Sequence, residues 1–239
     1  MKIEFWSDII CPYCGLMDHR VRRAKDRFAH SDDVQVIHRS IQLHPDLPRS
    51  GVTQRELFTI AGMPAASGEK ILTDIEAAAH AEGLAPYHAL DRALGPTDHA
   101  HELLAHAASQ GRGPEVWTAI FRAHFGQARN LWTIDQVLDF ADEVHLDRAE
   151  AAAALHDRRY RAQVNADQRE ATRLGARGAP LLLIDGRYTI PGAVDTDRLL
   201  AAMTRAWQDG RPAPQALLMM PDTEGVCGPD SCTIDQHAD

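Results

Sequence analysis

Ile3 and Phe5 alternate with Lys2 and Glu4 at the start of the chain, and a period of two predicts a short strand with one face buried. The period then changes. Met17, Val21, Ala24 and Phe28 recur at helical spacing and predict an amphipathic helix, which Ser31-Asp32-Asp33 closes. Residues 34–43 are rich in strand-forming side chains and predict a second strand, closed in turn by H-P-D-L-P. A strand, a helix and a strand within about 45 residues form a βαβ unit, so the two strands are expected to be parallel.

Between residues 55 and 174 the strand signal is weak and helical stripes dominate. Val116, Trp117, Ile120, Phe121 and His124 form one stripe. Thr133-x-x-Gln136 is a capping-box pattern ahead of Val137, Leu138, Ala141 and Val144. Asp147-x-x-Glu150 opens an Ala-rich segment, and Gly175 stands where a helix would stop. Two short strands follow, 181–184 and 187–190, and Asp185-Gly186 between them is a two-residue hairpin signal. The last helix is expected over 196–207, with Leu199, Leu200, Met203 and Trp207 on one side. Residues 209–239 are polar and rich in Pro and Gly, which reads as a tail. The order is β-α-β, helical insert, α, β-hairpin, α. It predicts an α/β chain with a thioredoxin-like sheet domain (residues 1–50 and 165–208), a helical insertion subdomain (51–164) and a flexible tail (209–239).

Composition narrows the function classes. The chain has 239 residues and a formal net charge of −9, which argues against a general nucleic-acid or anionic-membrane binder. Its longest apolar run, A-P-L-L-L-I at 179–184, is far short of the ~18 residues of a membrane span. The beginning M-K-I-E-F-W carries no apolar signal region, so a cytoplasmic location is expected. The four cysteines fall in two close pairs, Cys11/Cys14 and Cys227/Cys232. Such pairs in a reducing compartment are more often catalytic or metal-bound than structural.

The first pair lies in S-D-I-I-C-P-Y-C-G. Cys11 falls where the first helix begins, with Pro12 in the first turn, where proline is tolerated. A sulfur at that place meets unsatisfied N–H groups and the positive end of the helix dipole, which favour the reactive thiolate. Cys14, one turn further, can attack back and resolve a mixed disulfide. A zinc half-site and a structural disulfide remain as competing readings of this segment; zinc would need two further ligands. A distant stretch, L-G-A-R-G-A-P-L-L-L-I, favours the redox reading. There Pro180 enters a strand directly after a Gly-rich turn, and such a backbone edge suits an extended substrate adding as a strand.

Together S-D-I-I-C-P-Y-C-G, H-R-S-I-Q-L-H-P-D-L, T-D-H-A-H-E-L-L-A-H-A and G-A-R-G-A-P-L-L-L-I-D-G-R-Y-T-I-P-G-A resemble the DsbA-like oxidoreductases, and most closely their FrnE-type branch. The resemblance runs from residue 2 to about residue 207. It implies a thioredoxin fold with a helical insert, an attacking Cys11, a resolving Cys14, and a cis-proline at Pro180 preceded by Ala179. It also implies a substrate site at Pro12, Tyr13, Ala179 and Pro180, no cofactor or metal, and protein or small-molecule thiols and disulfides as partners. Tyr13 stands where the family often has Trp or His, which bears on redox poise. Pro96 stands where the branch usually has Asn. A related branch, the 2-hydroxychromene-2-carboxylate isomerases and kappa-type glutathione transferases, typically has Ser at the place of Cys11, so the paired cysteines argue against its chemistry. The competing class is a binding module, either zinc-stabilised or chaperone-like with an apolar cleft in the insert.

The second pair lies in C-G-P-D-S-C, a tail pattern that recurs in the FrnE-type branch. Gly228-Pro229 makes a turn that brings Cys227 and Cys232 within bridging reach. A second redox pair exchanging with the first, a local disulfide, and zinc ligands all fit. At ~3.3 Å per residue, the tether from Trp207 to Cys227 exceeds twice the ~18 Å radius of gyration of such a domain. His99, His101 and His106 are read as members of a solvated helix rather than metal ligands. Arg20, Arg22, Arg23, Lys25 and Arg27 are read as a solvated face that complements the C-terminal end of the first helix, or as a docking surface for acidic segments.

Overall fold

The computed structural model describes residues 1–210. Strand β1 (Lys2–Ser7) leads into helix α1 (Pro12–Arg27), and a single 3₁₀ turn connects it to β2 (Gln35–Ser40). β1 and β2 pair in parallel, from Lys2 opposite Gln35 to Ser7 opposite Ser40. The expected second strand is shorter than the 34–43 segment. Past Ser40 the chain turns away from the sheet, and the Leu43 N–H donates to the Asp8 carboxylate instead of to a strand.

The middle of the chain carries β3 (Val52–Thr53), α2 (Gln54–Ile60), α3 (Ala65–Ala81), β4 (Ala93–Leu94), α4 (Asp98–Ser109) and α5 (Gly113–Phe121). A π-helical turn over Arg122–Gly126 follows, then α6 (Ile134–Glu143), α7 (Arg148–His156) and α8 (Arg161–Arg173). β3 and β4 pair with each other in a two-stranded ribbon too short to show in the hydrophobic pattern. Local signals account for several helix ends. Thr133 and Gln136 form the expected reciprocal capping box, and the Asp147 side chain accepts from the Glu150 N–H. Gly175, at φ +82°, takes the left-handed position that ends α8.

The chain returns to the first sheet through β5 (Leu181–Ile184) and β6 (Tyr188–Pro191), and α9 (Thr196–Gly210) ends the described residues. Sheet order is β2-β1-β5-β6, with β5 antiparallel to both β1 and β6. This is the thioredoxin-like α/β fold. The hairpin differs from expectation by one residue. Asp185 and Gly186 both have positive φ, and the Arg187 N–H closes the turn on the Ile184 carbonyl. Ile184 nevertheless pairs with Tyr188, so Arg187 belongs to the loop and not to the strand.

One face of the sheet packs on α1 and α9 through Ile3, Phe5, Met17, Val21, Leu182, Leu199 and Met203, an apolar core. The other face meets α8 through Trp6, Leu181, Leu183 and Ala171, and the Trp6 indole donates to the Asp167 carbonyl. A third and larger core joins the helical layer to the turn that opens α1; Ile9, Ile10, Cys11, Cys14 and Leu16 share it with Leu103, Trp117, Ile120, Phe125 and Trp132.

One surface expectation is corrected and a second holds in part. Helix α4 is interior: His99, His101 and His106 are all buried. Its small residues Ala100, Ala105 and Ala107 let α5, α6, α7 and α8 all contact it, so histidines on different faces are all covered. Each has a polar partner: Asp8 for His101, Arg158 for His99 and Gln110 for His106. In the basic run, Arg20 grips Glu82 with two nitrogens and donates to the Val194 carbonyl. Arg22 pairs with Asp18 and Arg27 with Asp197. Arg20 and Arg27 therefore fasten α1 to neighbouring segments, Arg22 pairs within α1, and Arg22, Arg23 and Arg27 are exposed, as a solvated face would be.

Candidate active site

Cys11 is the N-cap residue of α1, with extended backbone at φ −81°, ψ 113° and Pro12 following as the first helical residue. The Cys14 N–H donates to the Cys11 carbonyl at 2.9 Å, which fixes the first turn between the two thiols. Cys11 retains 5% exposure and Cys14 none. Burial, and next the adjacent Cys11 sulfur, push the Cys14 thiol well above the ordinary cysteine value. Tyr13, between them, is 41% exposed.

The other half of the site comes from the turn before β5. The Ala179–Pro180 bond is cis, and the Cys11 thiol donates to the Ala179 carbonyl at 3.4 Å. Cys11, Pro12, Tyr13, Cys14, Ala179 and Pro180, named from two distant stretches of sequence, thus meet at one corner of the fold. The pairing of β1 with β5 carries them there, since both turns leave the same end of the sheet. Cys227 and Cys232 lie outside the described residues.

Behind the cysteines is a set of polar side chains that hydrophobic periodicity does not reveal. Asp8, fully buried, accepts from the Leu43 N–H at 2.7 Å and faces His101 Nε2 at 3.4 Å. Arg92 is buried, donates to the Ile10 carbonyl at 2.7 Å, reaches Gln54 at 3.4 Å and lies over the Phe125 ring. Burial lowers its pKa to about 10, so it is still a cation at neutral pH. The Tyr87 hydroxyl donates to the Pro12 carbonyl, and its ring stacks on Phe125 with centroids 4.8 Å apart. Burial, then the nearby Cys11, raise the Tyr87 pKa well above the usual phenol value, so Tyr87 is a neutral donor. His124 Nδ1 faces the Arg129 carbonyl at 2.9 Å; burial and then the Arg92 charge lower its pKa to about 3, which keeps it neutral. Gly15 leaves room for this packing, because a Cβ there would lie 2.5 Å from the Tyr87 oxygen and 2.8 Å from the Phe125 ring. Asp8 and Gly15 were visible in S-D-I-I-C-P-Y-C-G, and His101 in T-D-H-A-H; Tyr87 and Arg92 sit in a loop with no periodic signal.

A family model described as a DSBA-like thioredoxin domain matches residues 2–204. The chain belongs to that family. A probable DsbA oxidoreductase from Streptomyces coelicolor has a similar structure, with a TM-score of 0.82 and 35% identity over 96% of this chain and 97% of that one. The uncharacterized protein YwbO of Bacillus subtilis is 26% identical over 203 residues, 82% of this chain and 92% of its own length. The cytosolic disulfide reductase DsbM of Pseudomonas aeruginosa, solved with GSH, shares the fold at a TM-score of 0.56 and 20% identity, over 87% of this chain and 98% of that one. Membership makes the chain an oxidoreductase- or isomerase-type protein of this family.

Among the described residues no group of three or more His, Cys, Asp and Glu is arranged to hold a metal ion, so the further ligands a zinc half-site at Cys11/Cys14 requires are not supplied there. A cavity of about 410 Å³ opens beside α1, lined by Asp18, Tyr87, Thr118, Phe121, Arg122 and Phe125 among others. Its volume suits a side chain or a small molecule rather than the long apolar segment a chaperone would hold. No helix of the described residues is long and apolar enough to cross a membrane.

Proposed function

We propose that this protein is a thiol–disulfide oxidoreductase working through Cys11 and Cys14 on protein or small-molecule disulfides in the cytoplasm, with no cofactor. The observation that carries the reading is the Cys11 thiol at the start of α1, held against the Ala179 carbonyl beside Pro180, with Cys14 buried one turn behind it. As reductase, the Cys11 thiolate attacks one sulfur of a substrate disulfide. The S–S bond breaks, the leaving thiolate takes up a proton, and Cys11 is left in a mixed disulfide. Cys14 then gives up its proton and attacks the Cys11 sulfur, which releases the second substrate thiol and closes the Cys11–Cys14 bridge. The same steps reversed oxidise a substrate dithiol. Pro12, Tyr13, Ala179 and Pro180 form the surface against which the substrate chain lies, Tyr13 through its exposed ring and Ala179 through its backbone.

The Cys227/Cys232 pair is read as a relay that reduces or oxidises the first pair by intramolecular exchange, since a tether confers an effective concentration in the millimolar range. DsbM, named as a cytosolic reductase and solved with GSH, supports glutathione as the small-molecule thiol partner and the cytoplasm as the location. The test is turnover of a disulfide-linked peptide with glutathione as the electron source. Wild type turns over, Cys11→Ser loses at least a hundredfold, and Cys14→Ser accumulates a mixed disulfide on Cys11. Unchanged turnover in Cys11→Ser defeats the reading. Deleting residues 222–239 slows turnover without unfolding the protein if the tail pair is a relay; unchanged turnover removes the relay.

A further inference from the structure

Among the described residues Arg92 is the one buried guanidinium, 6% exposed beside the cysteine turn, and it forms no ion pair there. Its partners are neutral: the Ile10 carbonyl, the Gln54 amide oxygen and the Phe125 ring. Its Nε has no partner among the described residues. Taking a cation out of water without a paired anion costs several kcal/mol, and such a charge persists where something else compensates it. The nearby Asp8 carboxylate is already engaged by the Leu43 N–H and His101. The carbonyl that Arg92 holds belongs to the residue immediately before Cys11.

We propose that Arg92 is the built-in counter-charge of the Cys11 thiolate and sets the redox poise of the C-P-Y-C pair. The inference rests on the thiol–disulfide reading above. In the reduced protein Cys11 carries the negative charge that the buried guanidinium lacks. In the oxidised protein that charge is gone and Arg92 stays buried beside a neutral disulfide. The cation therefore favours the reduced form and makes the disulfide a stronger oxidant, because a stabilised reduced form raises the potential. Gln54 and Phe125 hold the guanidinium plane in place, and the cation–π contact with Phe125 helps offset its desolvation.

Other ionisable groups face the same interior. They are Asp8 from the turn before α1, Cys14 from α1, Glu76 from α3, Tyr87 from the loop after α3, His101 from α4 and His124 from the π-helical turn. Tyr87 and His124 are neutral at pH 7 for the reasons given above. Asp8 and Glu76 carry negative charge that opposes the thiolate and also favours the Arg92 cation, though neither forms an ion pair with it among the described residues.

The test equilibrates wild type, Arg92→Gln, Arg92→Met and Arg92→Lys with glutathione buffers at pH 7. The exchange is one protein dithiol plus one oxidised glutathione giving one protein disulfide plus two reduced glutathiones. The fraction oxidised is read by alkylation and mass spectrometry. Arg92→Gln keeps a donor for the Ile10 carbonyl without the charge, so it remains informative if Arg92→Met fails to fold. Both neutral variants are expected to shift the equilibrium at least tenfold toward the protein disulfide, a fall of about 30 mV. Their Cys11 alkylation profile is expected to move to higher pH, with Arg92→Lys within threefold of wild type. Neutral variants with the wild-type constant and profile overturn the proposal, as does a lysine variant shifted as far as the neutral ones. A wild type that forms no reversible Cys11–Cys14 disulfide in these buffers overturns instead the thiol–disulfide reading on which the proposal stands.

Discussion

The interior has two unlike halves on either side of the same helix. Where α1 faces the sheet and α9, the core is made of Ile3, Phe5, Met17, Val21, Leu182, Leu199 and Met203. Where the start of α1 faces the helical layer, Asp8, Tyr87, Arg92, His101 and His124 are buried among Trp117, Phe125 and Trp132. The first half needs only matching shape and apolar area. In the second, each buried polar group carries a desolvation cost that its hydrogen bonds must offset, and that half contains the thiols. Polar groups are concentrated around the thiols, where the proposed exchange makes and removes a charge.

The comparison can be broken by mutation, and the largest effect is expected in the dry half. Leu199→Ala removes a fully buried side chain and should cost about 2–5 kcal/mol of unfolding free energy. Turnover per folded molecule should stay at the wild-type level. Denaturant titration together with a turnover assay reads both, and a large fall in turnover would show that the halves are coupled.

A similar or smaller effect comes from acid in the polar half. His124 has a folded pKa of about 3 against an ordinary 6.5. Between those values the unfolded chain binds a proton that the folded chain refuses, so stability falls as pH drops through that window. The loss is on the order of 4 kcal/mol by the lower end. His124→Asn keeps a donor toward the Arg129 carbonyl and removes the titration, so its stability-against-pH curve should be flatter over that window. An unchanged slope would assign the acid sensitivity to other groups.

Gly15→Ala should cost about 1–3 kcal/mol by overpacking, because the new Cβ meets the Tyr87 oxygen at 2.5 Å. Unlike Leu199→Ala it should also slow turnover, since Tyr87 can no longer hold the Pro12 carbonyl. A variant that is destabilised yet fully active would reduce Tyr87 to a packing residue. The smallest effect belongs to a part-buried helix cap at the edge of the polar half, next to Trp132. Thr133→Ala removes one side of the capping box of α6 and should cost about 1 kcal/mol, with turnover untouched.

The same division separates what could be read from the sequence from what could not. Met17, Val21 and Phe28 announced the apolar face of α1, because one-sided burial writes a period into the chain; the 2–5 alternation announced β1, although Glu4 and Trp6 on its second face are buried as well. Cys11, Cys14 and Pro180 were legible for another reason: their chemistry is rare enough in combination to name a site. The α4 histidines were misread because polar residues ordinarily signal solvent, and only tertiary packing on every side of α4 supplies the partners that make their burial tolerable. Arg92 and Tyr87 left no trace, since a loop residue that crosses the molecule to reach Ile10 or Pro12 has no periodicity to betray it. The β3–β4 ribbon, two residues per strand, is too short for any alternation to register.

The central claim is that Cys11 is the attacking thiol and Cys14 the sheltered one. Timed alkylation of the reduced protein with iodoacetamide, followed by peptide mass mapping, tests it directly. Cys11, at the helix start and retaining slight exposure where Cys14 has none, should be modified first and at a rate that rises with thiolate formation, while Cys14 stays protected until the protein unfolds. Modification of Cys14 first, or of both at the same rate, would contradict the account.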